Sequence, residues 1–202
     1  MIPAVGAEGV GRWWLYAAGA ASYAVLERFV TKPMWLYVVG HEMTHAVSGL
    51  LSGARIHSIK AGSRGGEVHL SKSNAFIALS PYVFPFYTLA VIGLYALLRH
   101  WWNRPELTPV FQFLLGMTLA FHLSLTVSAF HGHQPDLKVL GFFLSGVLIL
   151  LGNILILGIL GVNLFSKTPT LKQFTVGIGR ETLSAWQKLF VFTTRGVSQW
   201  IH

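Results

Sequence analysis

Apolar residues along this chain come in long blocks and not in the short runs of a soluble domain. Five blocks, residues 12–30, 34–51, 75–98, 110–130 and 140–165, are each close to the roughly 20 residues that a helix needs to cross a bilayer. The first is bounded by Arg12 on one side and by Glu27, Arg28 and Lys32 on the other, with Trp13 and Trp14 placed as an interfacial aromatic belt. Pro33 opens the second, a position a helix tolerates, and that helix is predicted to end near Gly53. Pro81 and Pro85 interrupt the third, so a kinked helix is predicted, its freed carbonyls served by protein or water. A polar loop with Trp101 and Trp102 leads to the fourth block. The fifth is nearly uncharged, and its one conspicuous polar residue, Asn153, reads as an interhelical hydrogen bonder.

Two stretches break this pattern. Residues 54–74 alternate polar and apolar positions around Ser63-Arg64-Gly65-Gly66, which predicts a β-hairpin. Residues 166–202 space Leu171, Phe174, Ile178, Leu183, Trp186, Leu189 and Phe190 among Lys172, Arg180, Lys188 and Arg195, the pattern of an amphipathic helix lying at an interface. The expected fold is therefore an all-α polytopic membrane protein. It has about five transmembrane helices, a short hairpin after the second and an amphipathic tail. With no internal repeat, residues 1–202 read as a single membrane-embedded domain whose core spans 34–165.

Composition agrees with this. The chain of 202 residues is 53% hydrophobic and only 11% charged, with a mean hydropathy of +0.56, against roughly 25% charged residues in an average soluble domain. The net charge of +8 falls mainly between and beyond the apolar blocks, where basic residues meet lipid headgroups; the expected partner is the bilayer and not nucleic acid. The absence of cysteine removes disulfides and thiolate metal sites. Arg12 is followed by Trp-Trp-Leu-Tyr-Ala-Ala without a convincing cleavage site, so the first block is expected to stay as a span. The expected location is an integral, multi-pass one, in a bacterial-type cell membrane.

Candidate chemistry sits in the second block, as His41-Glu42-Met43-Thr44-His45. On a helix, histidines four residues apart lie one turn above each other on the same face, so both imidazoles can bind one metal ion. In zinc sites of this pattern the glutamate is not a ligand; it takes a proton from the attacking water and hands it to the leaving amine, which is the role expected of Glu42. A catalytic zinc ion normally has three protein ligands. The third is sought at the Gly- and Pro-broken junction His131-Gly132-His133-Gln134-Pro135-Asp136 between the last two blocks. Asp136, the only aspartate of the chain, is favoured because a carboxylate between membrane blocks needs a cation to offset its desolvation. His131 and His133 remain alternatives, as ligands or as donors to a transition state. His122 reads as a buried hydrogen-bonded residue, and His57 and His69 as ordinary exposed positions of the hairpin. A metal carrier or sensor would share the two histidines without needing Glu42, and an inactive scaffold would need none of them.

Taken together, the His-Glu-x-x-His helix, the hairpin, the proline-broken helix and the later Gln134-Pro135-Asp136 resemble the site-2 protease family of intramembrane zinc metalloproteases. The resemblance covers about residues 34–165. It implies that His41, His45 and Asp136 hold Zn2+, that Glu42 activates water, and that the substrate is a membrane protein or peptide cut within or near its transmembrane segment. Pairing of an extended substrate with the hairpin would place Ile56, Ser58 and Val68 against it. The likeness also puts the hairpin, with Arg55, Lys60, Arg64 and Lys72, on the cytoplasmic side. Two departures mark a minimal or divergent member. The family's Gly-Pro-x-x-Asn is met by Ser80-Pro81-Tyr82-Val83-Phe84, without asparagine, and Leu137 replaces the glycine after the aspartate.

Overall fold

A computed structural model describes residues 13–29, 33–62, 65–102, 104–132 and 134–165, together with Arg180. Within these lie six helices: α1 (Trp13–Phe29), α2 (Met34–Leu51), α3 (Ala75–Val83), α4 (Phe86–Trp102), α5 (Thr108–His131) and α6 (Phe142–Phe165). The hairpin, β1 (Ile56–Gly62) and β2 (Gly65–Leu70), follows α2, and short 3-10 turns occupy Pro105–Leu107 and Pro135–Lys138.

The expected set of about five transmembrane helices is not what forms. Among the described residues only Thr108–His131 and Phe142–Gly161 are long and apolar enough to cross a membrane alone. The pair α3 and α4 adds a third only if its two arms, bent by 70°, count as one span. The reasons are local. Helix α1 has 17 residues and carries Glu27 and Arg28 near its end. In α2 the apolar run is diluted by His41, Glu42 and His45, the residues that carry the chemistry. The third block is two helices because Pro85 offers no N–H and pushes Phe84 into extended backbone, with φ −92° and ψ 114°. Helix α6 turns Phe143, Leu150, Leu151, Ile154 and Leu155 outward, an apolar face of the kind lipid covers. The expected amphipathic helix of 166–202, Arg180 apart, and the N-terminal flank of the first block lie outside the described residues.

Two packing systems hold the helices. In the first, α1 lies along α5 at backbone contact: a side chain at Gly19 would collide with the main chain at Phe113, and one at Gly116 with the main chain at Tyr16, the small-residue packing typical of membrane helices. Ser124 on α5 donates to Glu27 on α1, and Tyr23 meets Phe121 edge to face. In the second, Leu79 and Tyr82 of α3 form a buried cluster with Ala129 of α5, Leu137 of the 3-10 turn and Ile149 of α6. This cluster lies directly behind the residues described next.

The kink is closed from outside α3. In an unbroken helix the Tyr82 carbonyl would accept from residue 86; here it accepts from the Asn153 side-chain amide of α6 at 2.8 Å, with Thr126 Oγ1 of α5 at 3.4 Å. Asn153 is thus the interhelical hydrogen bonder that its setting predicts. His122, hydrogen-bonded as expected but only half-buried, lies with Nε2 3.2 Å from Asn153 Oδ1.

The two strands are antiparallel, with Ile59 opposite Val68 and Lys60 opposite Glu67, and an irregularity between Ile56 and Ser58. Both strands rest on α2. The seat is tight at Gly66, where a Cβ would stand 2.5 Å from Glu42 Cγ and 2.6 Å from Val38 Cγ1, so only glycine lets β2 come this close.

Candidate metal centre

The histidine half of the site comes from one helical face. His41 and His45 lie on successive turns of α2, their rings edge to face with centroids 4.7 Å apart and Nε2 atoms 3.1 Å apart. Below them α2 is fastened to α3 where Ser80 donates to the Ser48 hydroxyl at 2.8 Å, both residues buried. That contact brings the Ile77 carbonyl to 2.9 Å from His45 Nδ1. The carbonyl can only accept, so Nδ1 donates to it, which leaves Nε2 as the ring nitrogen that faces the cluster. Asn74 caps α3 by accepting from the Ile77 N–H at 2.9 Å, fixing the same residue from its other side.

The carboxylate half comes from a 3-10 turn. Helix α5 stops at His131, and Pro135–Lys138 forms a single tight turn anchored by Leu137, which is 1% exposed and whose carbonyl accepts from buried Ser145 at 2.9 Å. Asp136 is thereby aimed at α2. Its Oδ2 lies 3.3 Å from His41 Nε2 and 3.6 Å from His45 Nε2, and it accepts from the Tyr82 hydroxyl at 2.9 Å. Burial alone would push this carboxyl up, but hydrogen bonds from His41, His45 and Tyr82, with the charge on His45, outweigh it and hold Asp136 well below the usual carboxylate range.

These three residues form the one cluster of metal-ligating side chains among the described residues, with ligand atoms all within 4.8 Å of one another. The separations of 3.1, 3.3 and 3.6 Å can be tested against a metal. A tetrahedral zinc ion with bonds of about 2.0–2.1 Å spaces its ligand atoms about 3.3 Å apart. The cluster has that spacing before any ion is placed in it, so the residues fit. It is also open on one side: the imidazole side chains are 10% and 13% exposed, whereas Asp136 is 24% exposed and borders a cleft of 570 Å3. Glu42 lines that cleft with both histidines yet stays out of the ligand triangle, buried under β2.

The remaining candidates are placed as follows. Val68 lies on β2, whose residues Gly66 to Leu70 form one wall of the cleft. Ile56 and Ser58 lie on β1, the strand behind it. His131 ends α5, exposed and bonded through Nδ1 to the Val127 carbonyl at 3.0 Å, and is not part of the cluster. His133 lies outside the described residues. Sequence reasoning passed over Tyr82, seen only as a departure from a family pattern, although a phenol next to a proline in a kinked apolar helix is itself a signal that a polar partner is near.

Comparison of the chain with protein-family models, curated proteins and solved structures finds no match in any of the three. What stands on geometry is a His-His-Asp cluster able to hold a metal ion, next to helices apolar enough to span a membrane.

Proposed function

We propose that this protein is a zinc-dependent endopeptidase of the site-2 protease type. It is multi-pass in a bacterial-type cell membrane and cuts a membrane protein within or near a transmembrane segment. The observation that carries this reading is the juxtaposition of the ligand triangle with Glu42 on one cleft walled by a strand edge. A metal carrier has no use for a buried carboxylate held beside, but not among, its ligands.

His41, His45 and Asp136 hold the ion, which when bound supplies Lewis-acid polarisation of a carbonyl and acidifies water. Glu42 accepts the proton of the attacking water and returns it to the leaving nitrogen; positioned proton transfer of this kind is worth about 10²–10⁴ in rate. Burial beneath Gly66 keeps bulk water from that carboxyl. A helical substrate hides its carbonyls in its own hydrogen bonds, so it must be drawn out before it is cut. Among the described residues β2 pairs with β1 on one side only, and its other edge, along Gly66–Leu70, pairs with the extended substrate.

The test is Glu42→Gln in the full chain, assayed on fluorogenic single-span peptides in detergent beside metal analysis of the same preparation. The expected result is unchanged metal content and a loss of cleavage of about 10² or more. Cleavage equal to the parent protein overturns the assignment.

A further inference from the structure

Tyr82 is 1% exposed and lies in a cluster of apolar side chains, where a phenylalanine would fill the same space. Its hydroxyl nevertheless points to one atom, Asp136 Oδ2, the oxygen that also faces both imidazoles. A phenol has one proton to donate, and it is spent here. Its ring also meets the His41 ring edge to face at a centroid distance of 5.3 Å, so Tyr82 is held against the histidine helix too.

The other end of the same residue is equally constrained. The carbonyl left over at the kink is taken by Asn153 Nδ2, which also donates to the Ile149 carbonyl at 2.9 Å. With both amide protons committed, Asn153 Oδ1 must accept, so His122 donates through Nε2. The chain His122, Asn153, Tyr82, Asp136 therefore has a single consistent direction of donation at each link, except that Tyr82 uses its backbone on one side and its side chain on the other.

From this we infer that Tyr82 is a positioning residue for the third metal ligand, and that Asn153 sets the ligand from α6 by fixing the backbone that carries Tyr82. The inference rests on the metal reading given above. A hydrogen bond on one lone pair of Oδ2 leaves another directed at the imidazoles; partners of metal ligands in this position typically change affinity about 10- to 100-fold. Nothing in the proposal requires Tyr82 to touch substrate, and its burial prevents that.

The experiment is a cobalt titration of the full chain in detergent, read by visible absorption and by competition with a chelator. It compares the parent protein with Tyr82→Phe, Asn153→Leu, the double variant and His45→Ala. Tyr82→Phe keeps the ring, and its metal-free form should melt close to the parent. Its cobalt affinity should fall about 10- to 100-fold with a shifted absorption band. Asn153→Leu should lose affinity as well, and the double variant should lose no more than Tyr82→Phe alone, because both act through one hydroxyl. Parent-like affinity and spectrum in Tyr82→Phe overturn the inference while leaving the metal site standing. Additive losses overturn the link through Asn153. A parent protein that takes up no cobalt, or one whose uptake survives His45→Ala, overturns the metal reading and this inference with it.

Discussion

The two halves of the centre are built on different principles. His41 and His45 are placed by the pitch of one helix, and any α2 that forms at all presents them together. Asp136 is placed by a four-residue turn whose position depends on Leu137 in the core, Ser145 on α6 and Tyr82 on α3. One half is local and the other is a product of the whole bundle. Damage far from the site should therefore reach the carboxylate and spare the imidazoles.

The strongest way to break the comparison is to remove a local ligand. His45→Ala takes away one of the two imidazoles of the ligand triangle and should abolish stoichiometric zinc, read by elemental analysis of the purified protein. Next in size is the thermal response to metal. Binding to the native state stabilises it by about RT ln(1 + [L]/Kd), near 2.7 kcal/mol at a hundredfold excess over Kd. Zinc should raise the melting temperature of the parent and leave that of Asp136→Ala unmoved. Gly66→Ala should act on the hairpin instead: overpacking against Glu42 and Val38 costs about 1–3 kcal/mol, read as a lower melting temperature, with metal content retained because no ligand moves. The smallest effect is expected for His131→Ala. An exposed position outside the cluster should change stability by no more than about 0.5 kcal/mol and leave zinc uptake as it was, so a loss of metal in that variant would make His131 a ligand after all.

How much of this could be read from the chain follows the same division. The histidine pair, the hairpin and the break near Pro81 and Pro85 are visible because each depends on spacing or on a residue with special backbone behaviour. Asn153 is legible as a polar residue stranded in an apolar helix, but its partner is not, since the Tyr82 carbonyl becomes available only once Pro85 has bent the chain. The number of spans is not legible for a related reason. Counting apolar blocks treats the length of a block as the length of a helix. Residues 75–98 contain two helices at 70°, and residues 34–51 give up apolar character to house the site. The setting of Tyr82 beside a proline signals a polar partner, but which one is invisible to pattern because it lies 54 positions away.

One asymmetry within the local half remains instructive. His45 is held from behind by the Ile77 carbonyl, whereas His41 Nδ1 is buried with no hydrogen-bond partner among the described residues. His41 is thus oriented by packing, between Tyr37 and Tyr82 at ring distances of 5.4 and 5.3 Å. The tyrosine that steadies Asp136 also walls in His41, which ties the two halves together at one side chain.

The most direct test of the account is the zinc content of the purified full chain beside that of Asp136→Ala. One zinc per chain in the parent and a marked loss in the variant is the predicted result. A parent protein without metal, or an Asp136→Ala protein with undiminished zinc, would contradict it.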